Sequence, residues 1–454
     1  MSRFLPLSLL LLAAAGGAHA APTPITIEQA MADPDWIGPP VESAWWSWNG
    51  TQVEYALKRK GSPVRDTFRQ PVAGGAAQQV ADDQRGTLDA AGRVYDRQRQ
   101  RMAFVRNGDV FVRDLRSGAL TQLTRGNERA SGVDFATDGG VIWNVGNSWY
   151  HWTPGTGGIA LVAQLKAEKN PADAPKADVL RDQQMRTLET LRRDRAQRDA
   201  LREQGERWRQ ADPTRAPGPL YLGADVEIVD SALSPDATHL VVVTKPKNFE
   251  DGRGGKMPLY VTESGYEETE DTRTRVGRNG FAPHALWLAD TRTGQVRPLP
   301  LDALPGIGTD PLAALRKAAG KPPLKGNRAV QVATSGDNGD APTLRWRADG
   351  KGAAVMVRAI DNKDRWIATV DLANAALQPR HRLHDDAWIN WSFNEFGWLP
   401  DGTLWYLSEE SGYSHLYVLD GARRRQLTTG NWETSQVVAS NDGATFWFLC
   451  NRVS

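Results

Sequence analysis

The stretch GWLPDGTLWYLSEESGYSHLYVLD, residues 397–420, and the GARRRQLTTG that follows it to Gly430 predict four short β-strands joined by turns. Asp401-Gly402 is a typical hairpin turn, because glycine adopts positive φ at no steric cost. The run from residue 416 to 419 is rich in residues that favour strands. A unit of this size cannot bury both of its faces alone, so it needs neighbours of the same kind.

Two phrases recur along the chain. A turn followed by a strand occurs as LSPDATHLVVV from Leu233, WRADGKGAAVMV from Trp346, ASNDGATFWFL from Ala439 and, more loosely, FATDGGVIWNV from Phe135. A strand ending in Asp, a turn marked by Gly and a second strand occur as VFVRDLRSGALTQLT (110–124), LWLADTRTGQVRPL (286–299) and LYVLDGARRRQLT (416–428). Irregular repeats of roughly 40 residues made of short strands are typical of β-propellers.

We therefore expect an all-β fold, a β-propeller of about seven to eight blades over residues 45–454, with the last blade incomplete. A β-sandwich with similar hairpins is the alternative. A sandwich gives no reason for two phrases to recur in the same order, so the repeats favour the propeller.

The pattern changes between about residues 167 and 213. The segment ADVLRDQQMRTLETLRRDRAQRDALREQGERWRQ is rich in Arg, Gln, Glu and Leu and predicts a charged helical insert, with an interruption at Gly205. Its leucines form only a thin apolar stripe. A solvated helix lying over the propeller is the simpler interpretation, and a gate or a helix that docks a partner is the alternative.

The first 20 residues have the pattern of a secretory signal peptide, with Arg3, an apolar core over residues 5–15 and the small-x-small sequence Ala18-His19-Ala20. We expect cleavage after Ala20, a periplasmic or secreted protein, and a lead-in segment over residues 21–44. No later stretch is long and apolar enough for a membrane span. Cys450 is the only cysteine, which excludes an intrachain disulfide.

The charge balance argues against one class of partner. Lys plus Arg number 55 and Asp plus Glu number 54, for a net charge of +1. A nucleic-acid-binding protein presents a one-sided basic surface, so no nucleic-acid partner is expected. The sequence also has no Gly-rich phosphate loop before a helix, and no cofactor is expected.

The chain resembles the N-terminal propeller of the dipeptidyl peptidase IV branch of the prolyl oligopeptidase family. The resemblance rests on the export signal, the lead-in ITIEQAMADPDWIGPP, the phrase SEESGYSHLYVLD, and TRTRVG before the LWLADTRTGQVRPL hairpin. The family's Ser-Glu-x-x-Gly-x-x-His-Leu-Tyr motif is carried here by Ser408, Glu409, Gly412, His415, Leu416 and Tyr417. Its short basic segment corresponds to Arg273, Arg275 and Gly277.

The resemblance implies a serine peptidase in which the propeller caps an α/β-hydrolase domain with its nucleophile on a Gly-x-Ser-x-Gly turn. This sequence contains no Gly-x-Ser-x-Gly, so no catalytic residue is assigned, and a truncated product without the hydrolase domain is expected. The family's amine-binding Asp-Trp-x-Tyr-Glu-Glu string is also absent. The Glu pairs in rim excursions are Glu267-Glu268 and Glu409-Glu410, and the amine-binding role is transferred to neither. The candidate substrate-rim residues are Glu267, Glu268, Arg273, Arg275, Glu409 and Glu410.

Three histidines are candidates for a chemical site. His381 and His384, with Asp385-Asp386 behind them, have a spacing that suits a metal on a helix, but they follow a strand, so surface polar residues are the favoured interpretation and no metal is expected. His415 is expected to be a packed or hydrogen-bonded strand residue rather than a catalytic base.

The first function hypothesis is the substrate-gating and recognition part of an exported dipeptidyl peptidase IV-like enzyme. Its partners would be short peptides, if it is joined to a hydrolase domain; an oligomer is left open. The alternative is a stand-alone periplasmic binding propeller without catalysis.

Overall fold

The computed structural model describes residues 25–32, 36–173, 178–250, 252, 254–274, 280–332 and 344–452. The predicted signal peptide lies outside these residues and stays a prediction. The described residues form two compact units, one up to Ala91 and one from Gly92 onward. Most of the regular structure in both is antiparallel β-sheet with few helices, so the predicted all-β class is confirmed.

The first unit contains a short helix and one sheet. Helix α1 (Ile27–Met31) is closed by a capping box between Thr26 and Gln29. Sheet A has the strand order β1 (Val41–Trp46), β2 (Gln52–Lys58), β3 (Arg65–Pro71) and β4 (Gln78–Gln79), and a 3₁₀ helix follows at Asp82–Thr87. Strand β1 thus begins inside the predicted lead-in of residues 21–44.

The second unit begins with two sheets built in chain order. Sheet B contains β5 (Val94–Tyr95), β6 (Arg101–Arg106), β7 (Asp109–Asp114) and β8 (Leu120–Gln122). Sheet C contains β9 (Ala130–Phe135), β10 (Val141–Val145), β11 (Ser148–Trp152) and β12 (Ile159–Lys166). Helices α2 (Val179–Thr187) and α3 (Glu189–Ala211) come next, and β13 (Leu220–Tyr221) then joins sheet C beside β12.

Further sheets of the same kind follow. Sheet D contains β14 (Val226–Leu233), β15 (His239–Pro246), β18 (Ala285–Asp290) and β19 (Val296–Leu299), with β16 (Gly254–Leu259) and β17 (Glu268–Thr274) forming a separate hairpin. After α4 (Ala313–Ala318), sheet E contains β20 (Val330–Gln331), β21 (Leu344–Trp346), β22 (Ala353–Ala359), β23 (Asp364–Asp371) and β24 (Ala376–His384). Sheet F contains β25 (Phe396–Trp398), β26 (Leu404–Ser408), β27 (His415–Asp420) and β28 (Arg423–Gln426), and sheet G pairs β29 (Thr434–Ala439) with β30 (Phe446–Cys450).

Apolar clusters join consecutive sheets of the second unit, because their central strands bury residues on both faces. In β26, Leu404 and Tyr406 pack against sheet E, whereas Trp405 and Leu407 pack against sheet G. The same alternation in β15 and β22 joins sheets C, D and E, and a further cluster joins B to C. Sheets C to F of the second unit therefore each pack on the sheet before and the sheet after.

The recurring turn phrase has a common hydrogen bond. A side-chain oxygen of each turn aspartate accepts the backbone N–H two residues further on, which fixes the turn before the following strand. The aspartates are Asp138, Asp236, Asp349, Asp401 and Asp442, with N···O distances of 2.8, 3.2, 3.0, 2.8 and 3.0 Å. Gly402 has φ of +87°, in the left-handed region that glycine favours.

The charged insert is helical, as predicted, but it is interrupted at Leu188 rather than at Gly205, which lies inside α3. Neither helix contains a buried residue, and Leu201 is 68 % exposed. In the described part of the chain, no helix is long and apolar enough to cross a membrane. The ends of the insert meet, because Lys166 of β12 pairs with Tyr221 of β13.

We expect replacement of residues 178–211 by a short Gly-Ser linker to change the free energy of unfolding by less than about 1 kcal/mol, because the helices bury no side chain. Urea denaturation followed by tryptophan fluorescence measures the change. The matched control is Leu240→Ala in the core of sheet D, which should cost about 2–5 kcal/mol. A loss from the linker comparable to that of the control would show that the helices contribute to the core.

Candidate functional site

Glu409 and Glu410 lie directly after β26, at the end of sheets E and F where β24 ends and β27 begins. The register places Ser408 opposite His415 and Asp364 opposite His384 at this end. Gly412 has φ of +99°, and its N–H donates to the Glu409 carbonyl at 2.8 Å, which closes the turn. The polar side chains that follow β26 are thereby fixed against the neighbouring sheet.

Glu410 has its carboxylate held by a histidine and an arginine. Its Oε2 lies 3.2 Å from His381 Nε2 and 2.5 Å from Arg424 Nη1. Burial alone would raise the pKa of Glu410, but the hydrogen bond from His381 and the nearby positive charges outweigh it, so the pKa lies below its usual range. Both contacts fall on Oε2, and through them this carboxylate is paired with a cation of the protein itself.

Arg365 of β23 is buried beside the Glu pair and ties sheet E to sheet F. Its guanidinium donates to the Phe393 carbonyl at 2.5 Å and to the Leu407 carbonyl at 2.7 Å. Burial lowers the pKa of Arg365 to about 10, although Glu409 and Glu410 favour its charged form. The side chain is therefore still cationic at neutral pH and gives this end a fixed positive charge.

Glu409 is the less occupied of the two carboxylates. Its Oε2 accepts the Asn390 N–H at 3.2 Å, and the described residues supply no hydrogen bond to Oε1. Burial raises the pKa of Glu409, and the backbone bond from Asn390 and the charge of Arg365 only partly oppose this rise. A half-buried carboxylate with an unused oxygen can accept a hydrogen bond from a bound cation.

His381 is a buried residue of the site, which corrects the expectation that it is a surface residue. Its side chain is 4 % exposed, its ring lies 4.5 Å from that of Tyr406, and Nδ1 has no hydrogen-bond partner in the described structure. Since Nε2 faces the Glu410 carboxylate, we assign the proton to Nε2. Burial lowers the pKa of His381, although Glu410 opposes the shift.

His384 takes different partners, because residues three apart in a strand point to opposite faces. Its Nδ1 lies 3.0 Å from Asp364 and its Nε2 3.3 Å from Asp386. Among the described residues, no group of three or more His, Cys, Asp or Glu side chains has an arrangement suited to a metal ion.

The other residues of the Ser-Glu-x-x-Gly-x-x-His-Leu-Tyr phrase have structural contacts. His415, expected to be a hydrogen-bonded strand residue, lies 3.1 Å from Thr428 Oγ1 and 3.0 Å from the Gly430 carbonyl. The Tyr417 ring stacks on Tyr406 with centroids 5.5 Å apart. Among the side chains of this phrase, Glu409 keeps an oxygen without a hydrogen bond in the described structure.

The other predicted rim residues lie elsewhere. Glu267 and Glu268 belong to the exposed β16–β17 hairpin, where Glu268 accepts from Ser264 Oγ at 2.6 Å, and Arg273 is exposed on β17. In the described structure, none of these three side chains bonds to Glu409 or Glu410. Arg275 lies outside the described residues.

Sequence reasoning did not find Arg365, Arg424 or Asn390 as neighbours of the Glu pair. The available signal was Arg365 directly before the apolar run Trp366-Ile367-Ala368 of a strand, because a charge at a buried strand position needs a nearby counter-charge.

The comparisons with known proteins bear on the part of the chain that holds this site. Residues 324–454 match the family model described as the dipeptidyl peptidase IV (DPP IV) N-terminal region, which confirms the resemblance predicted from the sequence. No curated protein matches the chain.

Three solved structures match the chain at low sequence identity and with TM-scores below 0.5. Dipeptidyl peptidase 4 of Porphyromonas gingivalis has 12% identity and a TM-score of 0.43, covering 89% of this chain and 49% of its own. A dipeptidyl aminopeptidase IV described as putative, from Bacteroides ovatus, has 11% identity and a TM-score of 0.42, covering 88% and 48%. The β-propeller domain of the Trilobed protease of Pyrococcus furiosus has 7% identity and a TM-score of 0.35, covering 88% of each. The chain thus spans about half the length of the two dipeptidyl peptidase structures.

We expect Arg365→Ala to lower the free energy of unfolding by about 3–5 kcal/mol, because two carbonyls lose their donor and the Glu pair loses a buried counter-charge. Arg424→Ala is the matched control. Its side chain is 54 % exposed, so loss of its bond to Glu410 should cost at most about 1 kcal/mol. Chemical denaturation of both variants measures the difference, and equal losses would contradict the buried role of Arg365.

We also expect His381 to make stability fall as the pH is lowered. Its pKa is 6.5 in the unfolded chain and lower in the folded protein, so below pH 6.5 the unfolded state binds the extra proton and is favoured. The melting temperature of wild type should therefore fall further between pH 7.5 and pH 5.5 than that of His381→Gln, whose side chain cannot titrate. Both proteins are compared at pH 8, where His381 is neutral, to remove the pH-independent cost of the substitution. Parallel melting curves over this range would contradict the assignment.

Proposed function

We propose that this chain is the propeller part of an exported dipeptidyl peptidase IV-like serine peptidase, and that it admits and recognises short peptides. The observation that carries the proposal is the family match over residues 324–454, which contain Arg365, His381 and the Glu409-Glu410 pair. In the intact enzyme that the resemblance implies, a hydrolase domain performs the acyl transfer. The residues of this chain bind and orient the peptide.

The order of sheet packing supports the propeller arrangement proposed for residues 45–454. In the second unit, sheets B to G pack on one another in chain order. Twisted sheets stacked face to face in chain order turn progressively about an axis, as blades do. A sandwich instead packs two sheets on each other.

The surroundings of Asp134 support a channel between the sheets of the second unit. Asp134 on β9 is accessible to solvent, yet burial raises its pKa. Arg345 on β21 is close enough to act on Asp134 and on Glu395 electrostatically. Glu395, just before β25, accepts the N–H groups of Gln436 and Val437 of β29 at 2.7 and 2.6 Å. Side chains enclosed by protein but open to water are what the lining of a propeller channel requires.

Glu409 is the residue of this chain that we propose to contact the peptide. Glu410 is bonded to His381 and ion-paired with Arg424, whereas Glu409 accepts one backbone N–H and has no cationic side chain in hydrogen-bond contact within the described structure. A free peptide amine is cationic at neutral pH, and its hydrogen bonds to a partly desolvated carboxylate are stronger than neutral ones. In this proposal Arg365 and Asn390 position the Glu409 carboxylate, and Glu267, Glu268, Arg273 and Arg275 line the rim further out.

We expect a Pro-containing tripeptide with a free amino terminus to bind the chain more tightly than its N-acetylated twin. Glu409→Gln should weaken binding of the free peptide roughly tenfold, because one charge-assisted contact is lost. The matched control is Glu189→Gln on helix α3, which removes the same charge from an exposed position. Isothermal titration calorimetry measures all four affinities. Equal binding of the two peptides, or equal losses in the two variants, would refute the role of Glu409.

A further inference from the structure

A second site lies at the opposite ends of sheets E and F. Here Asp371 pairs with Ala376 and Leu404 with Leu419, at the other end of the strands that carry Ser408 and His384. The two sheets part and leave a groove of about 490 Å³. This volume falls within the range of pockets that bind small ligands and short peptides.

The two walls of the groove differ in chemistry. Sheet F contributes apolar residues, with Leu404 and Leu419 on the wall and Trp398 beside them. On sheet E, the face that packs on sheet F carries Ile367 in the apolar cluster. Towards the groove, sheet E contributes the polar Thr369 and the cationic Arg380. In the groove, a polar wall on sheet E therefore faces an apolar wall on sheet F.

Arg347 is held in place at one edge of this groove. Its guanidinium forms an ion pair with Asp349 at 2.8 Å and lies 6.0 Å from the centre of the Trp398 ring. Gly352 and Gly402 make room for it, because a Cβ atom at these positions would lie 3.0 Å from Arg347 Cδ and 3.1 Å from its Cζ. The sequence thus keeps two side chains out of the space that this cation occupies.

Two other cations of the groove lack a carboxylate partner within the described residues. Arg380 donates to neutral groups, Thr369 Oγ1 at 2.8 Å and Gln378 Oε1 at 2.9 Å. The Lys351 ammonium is exposed, and the described structure gives it no polar partner. Asp371 also lines the groove, but it accepts from Asn374 and from the Ala373 N–H. Lys351 and Arg380 thus carry two positive charges against the one negative charge of Asp371, and the groove keeps an excess of positive charge.

We propose that this groove binds a short acidic peptide segment, distinct from any peptide at Glu409. Side chains of an extended peptide alternate between its two sides. Carboxylates on one side can reach Lys351 and Arg380, while apolar side chains on the other lie against Leu404 and Leu419. Arg347, fixed by its glycine neighbours, bounds one edge of the segment. The inference does not depend on the function proposed for Glu409.

Fluorescence anisotropy of the full chain with a labelled hexapeptide of alternating glutamate and leucine tests the proposal. Its twin carries lysine in place of each glutamate. We expect the acidic peptide to bind more tightly, and the double variant Lys351→Gln, Arg380→Gln to weaken its binding at least about fivefold. The control is Arg193→Gln, Arg207→Gln, which removes two exposed charges from helix α3. Because all four side chains are exposed, the melting temperatures should stay unchanged.

The site is refuted if the double variant binds the acidic peptide as well as wild type does, or if the control variant loses as much affinity. Equal binding of the lysine twin refutes the charge assignment. Competition with inorganic phosphate and with unlabelled peptide distinguishes a site for small anions from a site for an acidic peptide. If phosphate displaced the labelled peptide as effectively as unlabelled peptide does, the groove would be a site for small anions and the proposed peptide ligand would be wrong.

Discussion

The need to cover both faces of every internal sheet is the constraint on which the second unit depends. A strand such as β26 buries alternate residues on opposite sides, Tyr406 towards sheet E and Leu407 towards sheet G, and both are fully buried. A sheet of this kind exposes a large apolar area unless a neighbour lies on each face. Packing in chain order satisfies this requirement with short connections.

Because the faces are apolar, polar chemistry is confined to the strand ends and the connections between strands. A charged side chain that is buried between two sheets needs hydrogen-bond or ion-pair partners, since desolvation costs several kcal/mol per ion. Arg365 has them, in two carbonyls and two nearby carboxylates. Asp364 is an equivalent case, with its buried carboxylate contacted by Arg328, Arg382 and His384. One end of sheets E and F thus concentrates paired charges, and the other end keeps cations open to solvent.

Much of the strand pattern could be predicted from the sequence. The turn aspartates bond locally to the backbone, so their phrases identify hairpins without knowledge of the rest of the fold. The surroundings of Glu409 could not be predicted, because Arg365 and His381 reach it through strand register and the packing of two sheets. The interruption at Leu188 could not be predicted either. Leucine favours helices locally, and nothing in the composition of the segment indicates a break there.

Cys450 lies exposed on β30, one of the two strands of sheet G. Because the sequence contains no other cysteine, a thiol-reactive dye attaches to one known position without any substitution. Phe446 and Phe448 of the same strand pack towards Trp405 of sheet F. An environment-sensitive dye at Cys450 therefore reports on the packing of this strand against the sheet before it.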